Sequence, residues 1–139
     1  MIIGVGTDII EITRIEQAVI KGKAFYNKIY TPKERAYYEK KHKKIETLAG
    51  LFGAKEAVSK ALGTGFSGFG PQDIEIVPNH QGKPEVTLYK GAKKLAEQLG
   101  VTKVHLSISH CQSYATSFVV IEGGDKDEIT HTRPNAGGR

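Results

Sequence analysis

Ile and Val crowd the first ten positions. The run 2–9 (IIGVGTDI) predicts a strand, with glycines where another backbone or a ligand can come close. From Glu11 the period changes. Ile12, Ile15, Val19 and Ile20 recur at helical spacing and predict a helix to about Ile20. Thr31-Pro32 opens a second helix, running to about Lys41. Thr31 stands at the N-cap, Pro32 in the first turn and Glu34 three residues on, the capping-box arrangement. A longer helix is predicted from about Ile45 to Leu62. The glycine-rich run Gly63–Gly70 ends it, and Pro71 prevents it from resuming. Residues 73–77 and 85–89 read as strands joined by a hairpin turn through Pro78–Gly82. Residues 90–99 predict another helix closed by Gly100, and two last strands fall at about 103–109 and 114–121. The order predicts an α+β fold, a mainly antiparallel sheet packed against one long buried helix and several shorter ones. From Gly123 onward no apolar period survives, so 123–139 reads as a disordered tail and 1–122 as a single domain.

Composition narrows the class. With 139 residues the chain fits one domain that can bury a core without staples. Cys111 is its one cysteine, which excludes an intrachain disulfide and fits a reducing cytoplasm. No apolar run approaches the ~20 residues of a membrane span. The N-terminal apolar run lacks the basic start of a secretion signal. Net charge is +5, and the excess is local. Residues 21–44 hold nine Lys or Arg against Glu34 and Glu39. Such a stretch is either a solvated helix face or a surface for an anionic partner.

Candidate chemistry centres on misplaced carboxylates. In the long helix, Ile45, Leu48, Ala49 and Phe52 share one stripe, and Glu56 falls inside it with Lys60 a turn later. The other side is also apolar (Ala54, Ala57, Val58, Ala61, Leu62), which predicts a buried helix. A buried carboxylate needs a partner: Lys60 at i+4, or a metal. Asp8 stands at the end of an apolar strand, where it can cap the following helix or bind metal. Two carboxylates from separate elements, completed by water and phosphate oxygens, suit Mg²⁺. Gly63-Thr64-Gly65-Phe66-Ser67-Gly68 spells G-x-G-x-x-G but follows a helix, so a dinucleotide site is excluded. Its amides could still face phosphate. His110 and Cys111 are neighbours on a strand and point apart, which argues against a thiol nucleophile. Lys40–Lys44, with Tyr26, Tyr30, Tyr37 and Tyr38 nearby, carries no nucleic-acid module signature. A basic adaptor that holds an acidic protein or RNA without chemistry is the alternative from a binding class. It supplies no reason for Glu56.

Three segments then line up with one family. GVGTDIIEITRIE (4–16), FGAKEAVSKALGTG (52–65) with GFGPQDIEIV and QGKPEV after it, and LSISHCQSYATSFVVIE (106–122) resemble the holo-[acyl-carrier-protein] synthases, in consistent order. The resemblance implies the 4′-phosphopantetheinyl transferase-like fold. It also implies transfer of 4′-phosphopantetheine from coenzyme A to a serine of an acyl carrier protein, releasing 3′,5′-ADP, in support of fatty acid biosynthesis. Asp8 and Glu56 would hold Mg²⁺. Lys60 would neutralise phosphate charge and assist the leaving group. Gly63, Thr64, Gly65, Ser109 and His110 would lie along the nucleotide. Arg14, Lys21 and Lys23 would dock the acidic carrier. The family implies a homotrimer with sites between subunits, and neither nucleic acid nor membrane as partner. Two positions depart from its usual pattern: Leu51 stands where Arg is frequent, and Gly53 where Ala is frequent.

Overall fold

The computed structural model describes residues 1–124. The chain opens with strand β1 (Ile2–Glu11), which passes directly into α1 (Ile12–Ile20). Two short helices follow, α2 (Lys23–Ile29) and α3 (Pro32–Lys40), then the long α4 (Ile45–Ala61). A single 3₁₀ turn (Pro71–Asp73) leads into the hairpin β2 (Ile74–Pro78) and β3 (Pro84–Leu88). Helix α5 (Lys90–Leu99) and strands β4 (Val101–His110) and β5 (Tyr114–Gly123) complete the domain. Of the tail read from residue 123 onward, the part beyond Gly124 lies outside the described residues.

The strands form two antiparallel sheets, one ordered β1-β5-β4 and one made of β2-β3. Alternation puts Ala115, Ser117, Val119 and Ile121 of β5 on the inner face, all buried, where α4 packs. The contact of β1 with α4 is unusually close. A methyl group at Gly6 would overlap the Ala57 carbonyl oxygen, and one at Gly4 that of Ala61. The glycines of the first strand therefore let it lie against the helix backbone.

Helix α2 escapes the sequence pattern. It has seven residues, no side-chain cap and two lysines, and only Ile29 is fully buried. Its Phe25 and Tyr26 are half-buried, with rings that pack against Tyr30, Phe52 and Tyr38. Tyr30 is wholly buried, and its hydroxyl donates to the Leu48 carbonyl at 2.8 Å. These tyrosines belong to the packing of α2 and α3 on α4, and Tyr26, Tyr30 and Tyr38 are not arrayed for stacking on bases.

The capping box forms as its spacing predicts, and it does more than cap. Glu34 Oε1 accepts from the Thr31 amide at 2.9 Å, and Thr31 Oγ1 accepts from the Glu34 amide at 3.2 Å. Glu34 Oε2 also accepts from the Ile76 amide at 2.8 Å, and Oε1 pairs with Lys55 Nζ at 2.7 Å. Lys55 donates further to the carbonyls of Pro71 (2.9 Å) and Ile74 (2.6 Å). The wholly buried ion pair thus joins α3, α4 and the start of β2. Burial pushes both partners toward neutrality, Glu34 up and Lys55 down. Their mutual attraction and hydrogen bonds oppose that push.

Candidate active site

The direct passage of β1 into α1 leaves Asp8 on the inner face of the strand, facing α4 across the two glycine contacts. Its side chain is 13% exposed. Lys60 reaches it from the last turn of α4: Nζ lies 3.0 Å from Asp8 Oδ1 and 3.1 Å from the Thr7 carbonyl oxygen. Lys60 pairs with Asp8 across 52 residues, in place of the local i,i+4 partner Glu56. With half its side chain still exposed, its ammonium retains a wet face for a further anion.

Glu56 sits one turn before Lys60 and is half-buried, as is Phe52 before it. Helix α4 is otherwise buried nearly all round, with Leu48, Ala49, Leu51, Ala54, Lys55, Ala57, Val58 and Ser59 covered. Within the stripe Leu48 and Ala49 are buried, Phe52 and Glu56 are half-buried, and exposure grows toward Lys60, which reaches Asp8. Burial raises the Glu56 carboxyl above the ordinary carboxylate range. The charge of Asp8 raises it further, and Lys60 lowers it. Asp8 and Glu56 thus lie on either side of one ammonium, Lys60 pairing with Asp8 and following Glu56 by one helical turn.

This donor set fits Mg²⁺, which takes one or two carboxylates and otherwise keeps water or phosphate oxygens. No group of three or more His, Cys, Asp or Glu converges among the described residues. A buried hydroxyl without a partner, Ser117 Oγ, belongs to the same neighbourhood.

The remaining predicted site residues are spread more widely. The glycine loop follows Lys60 immediately, but the Gly63 amide donates to the Lys60 carbonyl (2.9 Å) and the Gly65 amide to that of Ser59 (3.2 Å). Both close the C-terminus of α4, and Thr64 stands between them, exposed. Ser109 and His110 end β4, at the far edge of the sheet with β5 between them and β1. His110 instead borders a separate cavity of about 340 Å³, lined also by Tyr37, Thr47, Leu51, Ile76 and Pro84. One chain therefore assembles Asp8, Glu56 and Lys60 and leaves Ser109 and His110 apart from them. Arg14 on α1, and Lys21 and Lys23 around the start of α2, are exposed just beyond the strand that carries Asp8. The buried Lys55–Glu34 pair is absent from the sequence-based reading. Its only signal is a second lysine on α4, placed where the period calls for an apolar residue.

Three comparisons bear on this geometry. Residues 4–119 match the model of the 4′-phosphopantetheinyl transferase superfamily. The holo-[acyl-carrier-protein] synthase of Clostridium perfringens is 51% identical over 127 residues, covering 88% of this chain and 96% of that protein. Among solved structures, holo-[acyl-carrier-protein] synthase from Neisseria meningitidis superposes with a TM-score of 0.81 at 38% identity, over 88% of this chain and 99% of that one. The Bacillus anthracis enzyme, solved in complex with CoA (3′,5′-ADP), gives 0.73 at 39% identity, over 89% and 99%.

Proposed function

The chain belongs to the 4′-phosphopantetheinyl transferase superfamily, among its holo-[acyl-carrier-protein] synthases, and on that premise we propose the reaction its site performs. It transfers 4′-phosphopantetheine from coenzyme A to a serine hydroxyl of an apo-acyl carrier protein and releases 3′,5′-ADP. The observation that carries this reading is the pairing of Asp8 on β1 with Lys60 on α4, one helical turn after Glu56.

In the reaction the serine oxygen attacks the phosphorus that bears pantetheine, and the bond from that phosphorus to the oxygen of the departing 3′,5′-ADP breaks. Transfer of this kind depends on positioning and charge neutralisation. Asp8 and Glu56 would hold Mg²⁺, which supplies Lewis acidity and orients the diphosphate when bound. Lys60, anchored on Asp8 but half exposed, steadies the charge that gathers on the leaving phosphate. Glu56 takes the serine proton at its carboxylate oxygen. The nucleophile arrives with the partner, so the chain needs no activated serine or cysteine of its own.

The basic surface of Arg14, Lys21 and Lys23 docks the acidic carrier. Thr64, Ser109 and His110 lie along the nucleotide. The separation of Ser109 and His110 from Asp8 within one chain supports a homotrimer whose sites form between neighbours. So does the exposed apolar outer face of the sheet, with Val5 at 56%, Ile9 at 64% and Phe118 at 52%. No helix among the described residues is long and apolar enough to cross a membrane. We place the enzyme in the cytoplasm, serving fatty acid biosynthesis.

The test is to mix protein, coenzyme A, Mg²⁺ and an apo carrier protein and record the carrier's mass. The carrier should gain one phosphopantetheine, and Asp8→Ala or Glu56→Ala should lose nearly all turnover. An unmodified carrier, when a second enzyme shows it to be competent, would refute the reaction. Full turnover in both variants would refute the metal assignment.

A further inference from the structure

Ser117 carries the one buried side-chain oxygen or nitrogen without a hydrogen-bond partner among the described residues. It is 2% exposed. Leaving a hydroxyl in that state costs about 1–3 kcal/mol, and an alanine there would avoid the cost. Ser117 is also the cross-strand partner of Asp8 in the β1–β5 ladder. Directly opposed residues share a face of the sheet, so both side chains point at α4.

The helix residue that meets them is Gly53. A methyl group there would sit 3.2 Å from Ser117 Oγ, 3.5 Å from Asp8 Oδ2 and 3.8 Å from Ile10 Cγ2. The two oxygens therefore flank the same small space, which any side chain at position 53 would fill. Glycine inside a helix costs about 0.8–1 kcal/mol relative to alanine, and in this chain it leaves that space open. Lys60 holds Asp8 through Oδ1, and the Oδ2 side is the one that faces Gly53 and Ser117.

We infer that Ser117 is a positioning residue for Asp8: its hydroxyl donates to Asp8 Oδ2 across the space that Gly53 leaves open. The terminal torsion of an aspartate is soft and a serine hydroxyl turns freely, so small rotations close the gap. The carboxylate is then fixed at both oxygens, by Lys60 on one side and Ser117 on the other. Each oxygen keeps a lone pair for a cation. The inference rests on the proposed role of Asp8 as a metal ligand and adds what orients that ligand.

The experiment follows Mn²⁺ as a paramagnetic probe by electron paramagnetic resonance, with coenzyme A present and no carrier, so that nothing turns over. Ser117→Ala should weaken Mn²⁺ binding on the order of tenfold, as loss of an outer partner of a metal ligand does. Its melting temperature should not fall. Mn²⁺ bound by Ser117→Ala as tightly as by the unaltered protein, while Asp8→Ala loses it, overturns the inference and leaves the metal assignment standing. Retention of Mn²⁺ by Asp8→Ala overturns both.

Discussion

At the scale of single residues, two buried or half-buried acids behave differently, and each allows a prediction. Glu56 has its carboxyl raised by burial and by Asp8, so its folded value lies above its unfolded one. Such a group contributes stability only while it is protonated, and the contribution is lost as pH rises through the folded value. At neutral pH the ionised Glu56 therefore strains the metal-free fold. Glu56→Gln should raise the melting temperature at pH 7 in the presence of chelator. The gain should vanish at pH values below the ordinary carboxylate range. A melting temperature equal to the unaltered protein's at pH 7 would contradict the assignment. Glu34 is raised by burial as well, but unlike Glu56 it has three donors on its carboxylate, the Thr31 and Ile76 amides and Lys55 Nζ. Lys55→Met leaves that carboxylate buried and unpaired, which costs about 3–5 kcal/mol and should show directly in urea unfolding. Sequence periodicity finds Glu56 because it interrupts a stripe. It cannot find the partner of Lys60, which comes from a strand 52 residues away.

At the scale of elements, the decisive contact is β1 against α4. Gly4 and Gly6 allow strand and helix backbones to approach, and that approach brings Asp8 beside Glu56 and Lys60. Gly6→Ala must push the strand off the Ala57 carbonyl. Overpacking of this kind costs about 1–3 kcal/mol. Turnover should fall by more than the loss of folded protein explains, because Asp8 moves with the strand. Parallel measurement of unfolding free energy and of carrier modification separates the two effects. Most of this architecture is legible in the sequence. The capping box at Thr31, the glycine stop after α4, the hairpin at Pro78–Gly82 and the Gly100 terminus each have a local physical cause. Helix α2 is not legible, because a seven-residue helix with no side-chain cap is held by the aromatic packing of its neighbours. The wide burial of α4 is legible as well. Which of its edges opens on the site depends on where β1 docks, and no helical period reports that.

At the scale of the whole molecule, one face of the main sheet is covered by α4 and the other is not. Val5, Ile9 and Phe118 stand on the bare face, with Phe118 on the central strand between β1 and β4. Cross-strand neighbours on that face include Thr7, Thr116, Ser107 and Ser109, small groups that leave a flat surface. Exposed aliphatic and aromatic side chains gathered on a sheet mark a contact with another copy more readily than they mark a solvated surface. The same face carries Ser109, at the edge strand remote from Asp8. If a neighbouring copy covers it, residues from the end of one chain's β4 can complete the site begun by another chain's Asp8, Glu56 and Lys60. Phe118→Glu places a charge at the centre of that contact while leaving the inner face and its core untouched. The unaltered protein should sediment with the mass of three chains and the variant with the mass of one. Its carrier modification should fall by orders of magnitude at the same chain concentration. A single-chain mass for the unaltered protein would remove the assembly. A Phe118→Glu monomer with full activity would show that one chain holds the complete site.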